Sequence, residues 1–123
     1  MAEALRLLAA TPCRRRLAIL GDMKELGALS DEAHRRMGAL TAELGIDCVI
    51  AIGDKAKYMT EGNPGAHWFA TREEAMDTVR RLFTEGTAAL VKASHSMAFE
   101  HITEELEKQE HDRHQCDRSG QIL

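Results

Sequence analysis

Three short apolar runs punctuate the chain, Leu17 to Leu20, Cys48 to Ile52 and Ala88 to Val91. Gly21 and Gly53 close the first two, and Lys92 closes the third. A continuous apolar run that stops at a turn or charged residue marks a strand buried on both faces, as in a parallel sheet. Between the runs the pattern changes to helical spacing. Ala4, Leu5, Leu8 and Ala9 line one side of an opening helix that ends near Thr11-Pro12, because proline disfavours helix in the residue before it. Arg14 to Arg16 then lead into the first strand as a solvated edge.

A second helix opens at Ser30 as N-cap, with Asp31 and Glu32 in its first turn, where the helix dipole favours acids. Ala33, Met37, Leu40 and Leu44 form its apolar stripe, and Gly45 closes it. Lys55 to Glu61 predict a short helix, Gly62-Asn-Pro-Gly65 a turn, and His67 to Ala70 a third strand. Thr71 and Glu74 have capping-box spacing ahead of Ala75, Val79, Leu82 and Phe83, and Gly86 stops that helix. Thr87 to Val91 make the fourth strand, and Ser96 caps a last helix with Phe99, Ile102 and Leu106 on its apolar face. From Gln109 the chain is polar and aperiodic, which divides it into a domain at 1–108 and a disordered tail at 109–123. The order αβαβαβαβα predicts an α/β fold, a Rossmann-like, mostly parallel sheet with helices on both faces.

At 123 residues the chain is one domain with a single core. Its net charge of -4 argues against general binding to nucleic acid or anionic membrane, while leaving room for a local phosphate contact. Three cysteines, Cys13, Cys48 and Cys116, are widely spaced and odd in number, the usage of free thiols in a reducing cytoplasm. No run approaches the roughly 18 apolar residues of a membrane span. Met1 to Ala10 carry Glu3 and Arg6 and make a poor signal peptide.

Loops that leave the carboxyl ends of strands form the ligand crevice of an open α/β sheet. Two such loops here are polar. Asp22, Lys24 and Glu25 follow the first strand, and Lys92, Ser94 and His95 follow the fourth. The carboxylates suit a ribose, a metal-bound water or a substrate amine. Lys92 suits the charge that develops in phosphoryl and acyl-phosphate chemistry, although a lysine at a strand end also snorkels to solvent without any ligand. His34, early in the second helix, reads as structural from its position alone. Neither GxGxxG nor GxxxxGK[ST] occurs, so dinucleotide and Walker fingerprints are both missing. His111, His114 and Cys116 do not match a standard zinc spacing, and no metal site is expected.

Gly21-Asp22-Met23-x-Glu25-Leu26-Gly27, then His34, then Ile46 to Gly53, then Leu90 to Met97 and Glu100 occur in the order in which they occur in the C-terminal domain of the Mur ligases. The chain resembles that domain over roughly residues 1–108, most of all in the ligases that add D-alanyl-D-alanine. The resemblance implies a bacterial, cytoplasmic, ATP- and Mg2+-dependent ligase of peptidoglycan precursor synthesis. Its substrates would be UDP-N-acetylmuramoyl-tripeptide and D-alanyl-D-alanine, with no nucleic-acid or membrane partner. It marks Asp22, Glu25, His34, Lys92, Ser94 and His95 as substrate- or nucleotide-binding positions, with no catalytic residue and no metal ligand in this chain. The family pattern in the second loop is Lys-Gly-Ser-Arg; here Ala93 replaces the glycine and His95 the arginine, which weakens anion contact there. Met1 aligns with the end of a family Asn-Ala-Asn-Pro-x-Ser-Met stretch, so the resemblance implies upstream domains that carry the phosphate loop and the UDP pocket. The alternative reading is a stand-alone or truncated α/β domain that binds a ligand or partner without catalysis.

Overall fold

In the computed structural model, residues 1–24, 27–93, 99–112 and 121–122 are described. The strands β1 (Arg15–Gly21), β2 (Cys48–Ile52), β3 (His67–Phe69), β4 (Thr87–Lys92) and β5 (Gln121–Ile122) form one sheet in the order β3-β2-β1-β4-β5. Every pairing is parallel. The first apolar run therefore occupies the central strand. Ala18 and Leu20 face one core with Val49, Ala51, Ala88 and Leu90, and Leu17 and Ile19 face the other with Ile50, Ile52 and Ala89. Both faces are covered, which is why the run is continuous rather than alternating.

The first core is closed by α1 (Ala2–Ala10), through the fully buried Leu5 and Leu8, and by α2 (Ser30–Glu43) and the single turn α3 (Met59–Gly62). The second is closed by Ala75 and Val79 of α4 (Arg72–Leu82), by Phe83, and by Phe99, Ile102 and Leu106 at and within α5 (Glu100–Asp112). Burying a leucine or isoleucine side chain stabilises by roughly 1.5–3 kcal/mol, so these two apolar layers dominate what holds the sheet between its helices.

The ends of the elements correct three expectations. Ser30 is not an N-cap: a 3-10 turn, Gly27–Leu29, runs straight into α2, which has Leu29 at the cap and no side-chain cap bond. Arg16 is not merely a solvated edge. Its Nε donates to Leu8 O at 3.0 Å and its Nη2 to Thr11 O at 2.9 Å, so a cation closes the carbonyl end of α1. The polar stretch from Gln109 holds the end of α5, and Gln121–Ile122 pair with β4 as a fifth strand. Gln109 Nε2 donates to Phe83 O at 2.7 Å, which ties α5 to the end of α4. Ser96 and residues 113–120 lie outside the described residues.

Other signals match the observed elements. Thr71 Oγ1 accepts from Glu74 N–H at 3.2 Å, one half of a capping box. At the end of α2, Gly45 N–H donates to Ala42 O and Ile46 N–H to Thr41 O, the paired bonds of a Schellman motif, with Gly45 at φ +68. The short helix expected over Lys55 to Glu61 is a 3-10 turn, Ala56–Tyr58, followed by α3. It packs on α2 where Gly38 meets the backbone of Met59 with no room for a side chain between them.

Candidate ligand site at the carboxyl edge of the sheet

The chain builds the sheet outward from β1 through β2 to β3, and α4 then returns it to the other side of β1 to add β4. Connections leave β1 and β4 in opposite directions, so the crevice at their carboxyl ends is the topological switch point where open α/β sheets take ligands. Leu20 pairs with Lys92 in register, and Gly21 and Asp22 follow Leu20. Asp22 and Lys92 therefore leave adjacent strands at one edge, and the Lys92 side chain is exposed there. Glu25, Ser94 and His95 lie outside the described residues.

Asp22 is 6% exposed, and its carboxylate is turned into the protein. Oδ1 accepts from Lys55 N–H at 3.0 Å and from Ala56 N–H at 2.7 Å, which starts the 3-10 turn after β2. Gly53 makes this approach possible. Its φ is +120, and a Cβ there would stand 2.5 Å from Asp22 Oδ1. The backbone of Gly53 is itself fixed from β3: its N–H donates to Phe69 O at 3.0 Å, and its carbonyl accepts from Trp68 Nε1 at 2.8 Å.

His34 is fully buried beneath the loop that leaves β1. Its Nε2 accepts from Met23 N–H at 2.9 Å, and its Nδ1 lies 2.6 Å from Ser30 O and 3.5 Å from Ser30 Oγ. The ring thus links the first turn of α2 to the residue after Asp22.

Around these buried groups the edge is basic and ion-paired. Lys24 Nζ is 4.0 Å from Asp22 Oδ2, and Lys55 Nζ donates to Asp31 Oδ1 at 3.1 Å. The Asp31 hydrogen bond, and then its charge, hold the Lys55 ammonium above its ordinary pKa. Three cations lie near the Tyr58 ring, with Arg35 Cζ 4.9 Å, Lys57 Nζ 5.7 Å and Lys55 Nζ 5.9 Å from its centroid. Beside the first loop lies an apolar cavity of about 500 Å³ whose lining includes Met1, Met23, Leu29, Ala33 and Met37. Among the described residues no group of three or more His, Cys, Asp or Glu could hold a metal ion, and no helix is long and apolar enough to cross a membrane.

The geometry gives the candidate residues different circumstances. Lys92 is exposed, and Lys24 is exposed with its Nζ near Asp22 Oδ2, whereas Asp22 Oδ1 and the His34 ring are engaged by backbone. Sequence reasoning missed Gly53, Lys55 and Ala56 as partners of Asp22. The signal available was a second glycine directly after the second strand, one residue beyond Ile52, which pairs with Gly21.

With this arrangement in place, comparison with known proteins identifies its lineage. The pattern described as "Mur ligase, glutamate ligase domain" matches residues 1–95 and so includes the β1 loop, β4 and Lys92. This chain belongs to the Mur ligase family. The UDP-N-acetylmuramoyl-tripeptide–D-alanyl-D-alanine ligase of Escherichia coli K12 is 31% identical over 110 residues, which is 88% of this chain and 24% of that protein. The protein of that name from Synechocystis is 32% identical over 110 residues, 86% of this chain and 24% of its own length. Among solved structures, MurF from Acinetobacter baumannii superposes with a TM-score of 0.78 at 25% identity, covering 86% of this chain and 25% of that one. MurF from Thermotoga maritima, solved in complex with ADP, has the same fold at a TM-score of 0.74 and 24% identity, over 89% of this chain and 25% of that one. The Mur ligase chain described here thus spans about a quarter of the length of the relatives it matches.

Proposed function

We propose that this chain is the C-terminal lobe of an ATP-dependent ligase that joins D-alanyl-D-alanine to UDP-N-acetylmuramoyl-tripeptide, in the cytoplasm of a bacterium, during peptidoglycan precursor synthesis. Residues 1–108 are the lobe in this reading. The observation that carries it is the likeness to two ligases of that name along more than four-fifths of the chain, and the switch point between β1 and β4 supports it.

Asp22, Glu25, His34, Lys92, Ser94 and His95 are the proposed site positions. The roles that suit them differ. Lys92, exposed at the strand end, meets an anion: a phosphoryl oxygen of the nucleotide or the carboxylate undergoing activation. Asp22 shapes the crevice by bracing the loops after β1 and β2. ATP is a co-substrate: transfer of its γ-phosphoryl group to the tripeptide carboxylate releases ADP and leaves an acyl phosphate, and attack by the amine of D-alanyl-D-alanine forms the amide bond and expels inorganic phosphate. Among the described residues no group of three or more His, Cys, Asp or Glu could hold Mg2+. What this lobe contributes is position. Holding a nucleophilic amine against an activated carboxylate replaces a bimolecular encounter by an effectively unimolecular one.

The test is phosphate release from ATP, measured with the purified chain and then with the chain joined to the upstream domains of the E. coli relative, with both peptide substrates present. The chain alone is expected to show no appreciable turnover, and the joined protein to ligate. Robust turnover by the chain alone overturns the lobe reading. A folded joined protein without ligation overturns the ligase assignment.

A further inference from the structure

We propose that His34 is a positioning residue, a neutral histidine of fixed tautomer that sets the course of the β1–α2 loop through the backbone of Met23. The chemistry of its two partners determines the tautomer. Ser30 O is a carbonyl and only accepts, so Nδ1, at 2.6 Å, carries the proton. Nε2 is then the bare nitrogen, and it accepts from Met23 N–H at 2.9 Å. An amide cannot accept in place of donating, so the opposite tautomer would set two donors face to face. The ring is fully buried.

The consequence lies one residue further on. Met23 stands between Asp22, which is anchored to Lys55 and Ala56, and Lys24, which projects into solvent at the sheet edge. Asp22 ties the loop sideways to the segment after β2, and His34 ties it downward to the first turn of α2. The two attachments are consecutive along the backbone, and together they fix the direction in which Lys24 leaves the sheet. Neither group needs to touch a ligand for this. The family-matched histidine thereby acquires a role different from direct substrate contact.

The tautomer is read first, from long-range 1H–15N correlations of the histidine rings in the 123-residue chain. Protonated Nδ1 with acceptor-type Nε2 at His34 is expected; protonated Nε2 overturns the proposal whatever the mutants do. The second measurement is hydrogen exchange at the Met23 amide in two variants. In His34→Gln the side-chain carbonyl takes the place of Nε2 and should keep Met23 protected. In His34→Phe the volume is filled but the acceptor is lost, and exchange at Met23 should rise about tenfold relative to the β1 amides, the scale of one neutral hydrogen bond. Equal protection in the two variants overturns the latch, and if His34→Phe does not fold, the ring tautomer and His34→Gln still decide.

A final arm rests on the ligase reading. In the joined enzyme His34→Gln should restore most of the ligation that His34→Phe loses, at matched thermal stability. Equal loss in both, with the Met23 bond intact in His34→Gln, removes the positioning role while leaving the latch. Absence of ligation in the unmutated joined enzyme is instead a failure of the ligase assignment.

Discussion

Asp22 Oδ1 lies 2.7 Å from the amide nitrogen of Ala56, a residue 34 positions further along the chain. With Lys55 N–H at 3.0 Å, this single carboxylate oxygen starts the turn after β2 from a side chain that follows β1. A carboxylate buried against two backbone donors is well placed to hold two neighbouring loops in one relative position, because hydrogen bonds to a charged acceptor are stronger than neutral ones. Of the two loops so joined, the one after β1 borders the switch point between β1 and β4. The brace is therefore a property of the fold that bears directly on the shape of the site.

Asp22→Ala should destabilise the domain by roughly 1.5–3 kcal/mol, the range for a hydrogen bond to a charged group, with part of the cost coming from two amides left without their acceptor. Asp22→Asn keeps a carbonyl oxygen for those amides and should cost less. Urea unfolding of both variants checks the order. An Asp22→Asn protein as unstable as Asp22→Ala would show that the charge, rather than the geometry, matters.

Gly53→Ala should be worse than a usual loop substitution, by at least about 2 kcal/mol, because a positive φ and a steric clash act together. The φ of +120 is strained for any side chain, and the new methyl would meet the Asp22 carboxylate. In the double variant Gly53→Ala, Asp22→Ala the clash is gone but the strain stays. The two single costs should therefore sum to more than the double cost, by roughly 0.5–3 kcal/mol, as expected for residues in contact. Strict additivity in a double-mutant cycle would mean that the glycine and the carboxylate do not meet.

Gly38→Ala sets helix propensity against packing. Alanine in a helix interior is favoured over glycine by up to about 1 kcal/mol. Here the added methyl drives into the Met59 carbonyl, a backbone group that cannot turn away, and overpacking of that kind costs roughly 1–3 kcal/mol. Packing should win, giving a lower thermal midpoint. A rise in midpoint would place α2 and α3 further apart than described.

Much of this fold is legible in the residues because its signals are local. Leu17 to Leu20, Val49 to Ile52 and Ala88 to Leu90 are buried in parallel strands as their unbroken apolarity implies, with Cys48 and Val91 partly buried at the run ends, and Thr71, Gly45 and the Phe99–Leu106 stripe act within their own helices. Parallel strands also make it legible that the first and fourth loops share one edge, while the adjacency of β1 and β4 comes from the sheet order. What stays hidden depends on distant partners. The role of Asp22 needs Ala56, that of Arg16 needs Leu8 and Thr11, and that of His34 needs the Met23 amide, and no periodicity reports such pairings. Ser30 misled for a different reason. It has the composition of a cap, but the preceding 3-10 turn leaves no extended residue for a capping side chain to occupy.

The last prediction separates binding from stability at Lys92. The side chain is exposed at the end of β4, so Lys92→Ala should leave the unfolding free energy within about 0.5 kcal/mol of the parent, as for most surface substitutions. Its effect on ligation should be far larger. If the ammonium meets charge that develops in the transition state, removing it from the joined enzyme should lower turnover by about a hundredfold. Lys92→Arg keeps the charge with a different geometry and should fall between the two. The departure at His95 offers the complementary gain. If the loop after β4 meets an anion as proposed, a permanent cation at that position should help, so His95→Arg should maintain or raise ligation. Steady-state phosphate release and thermal unfolding on the same samples distinguish these outcomes. A Lys92→Ala enzyme with parental turnover and parental stability would reduce that lysine to a solvated strand end.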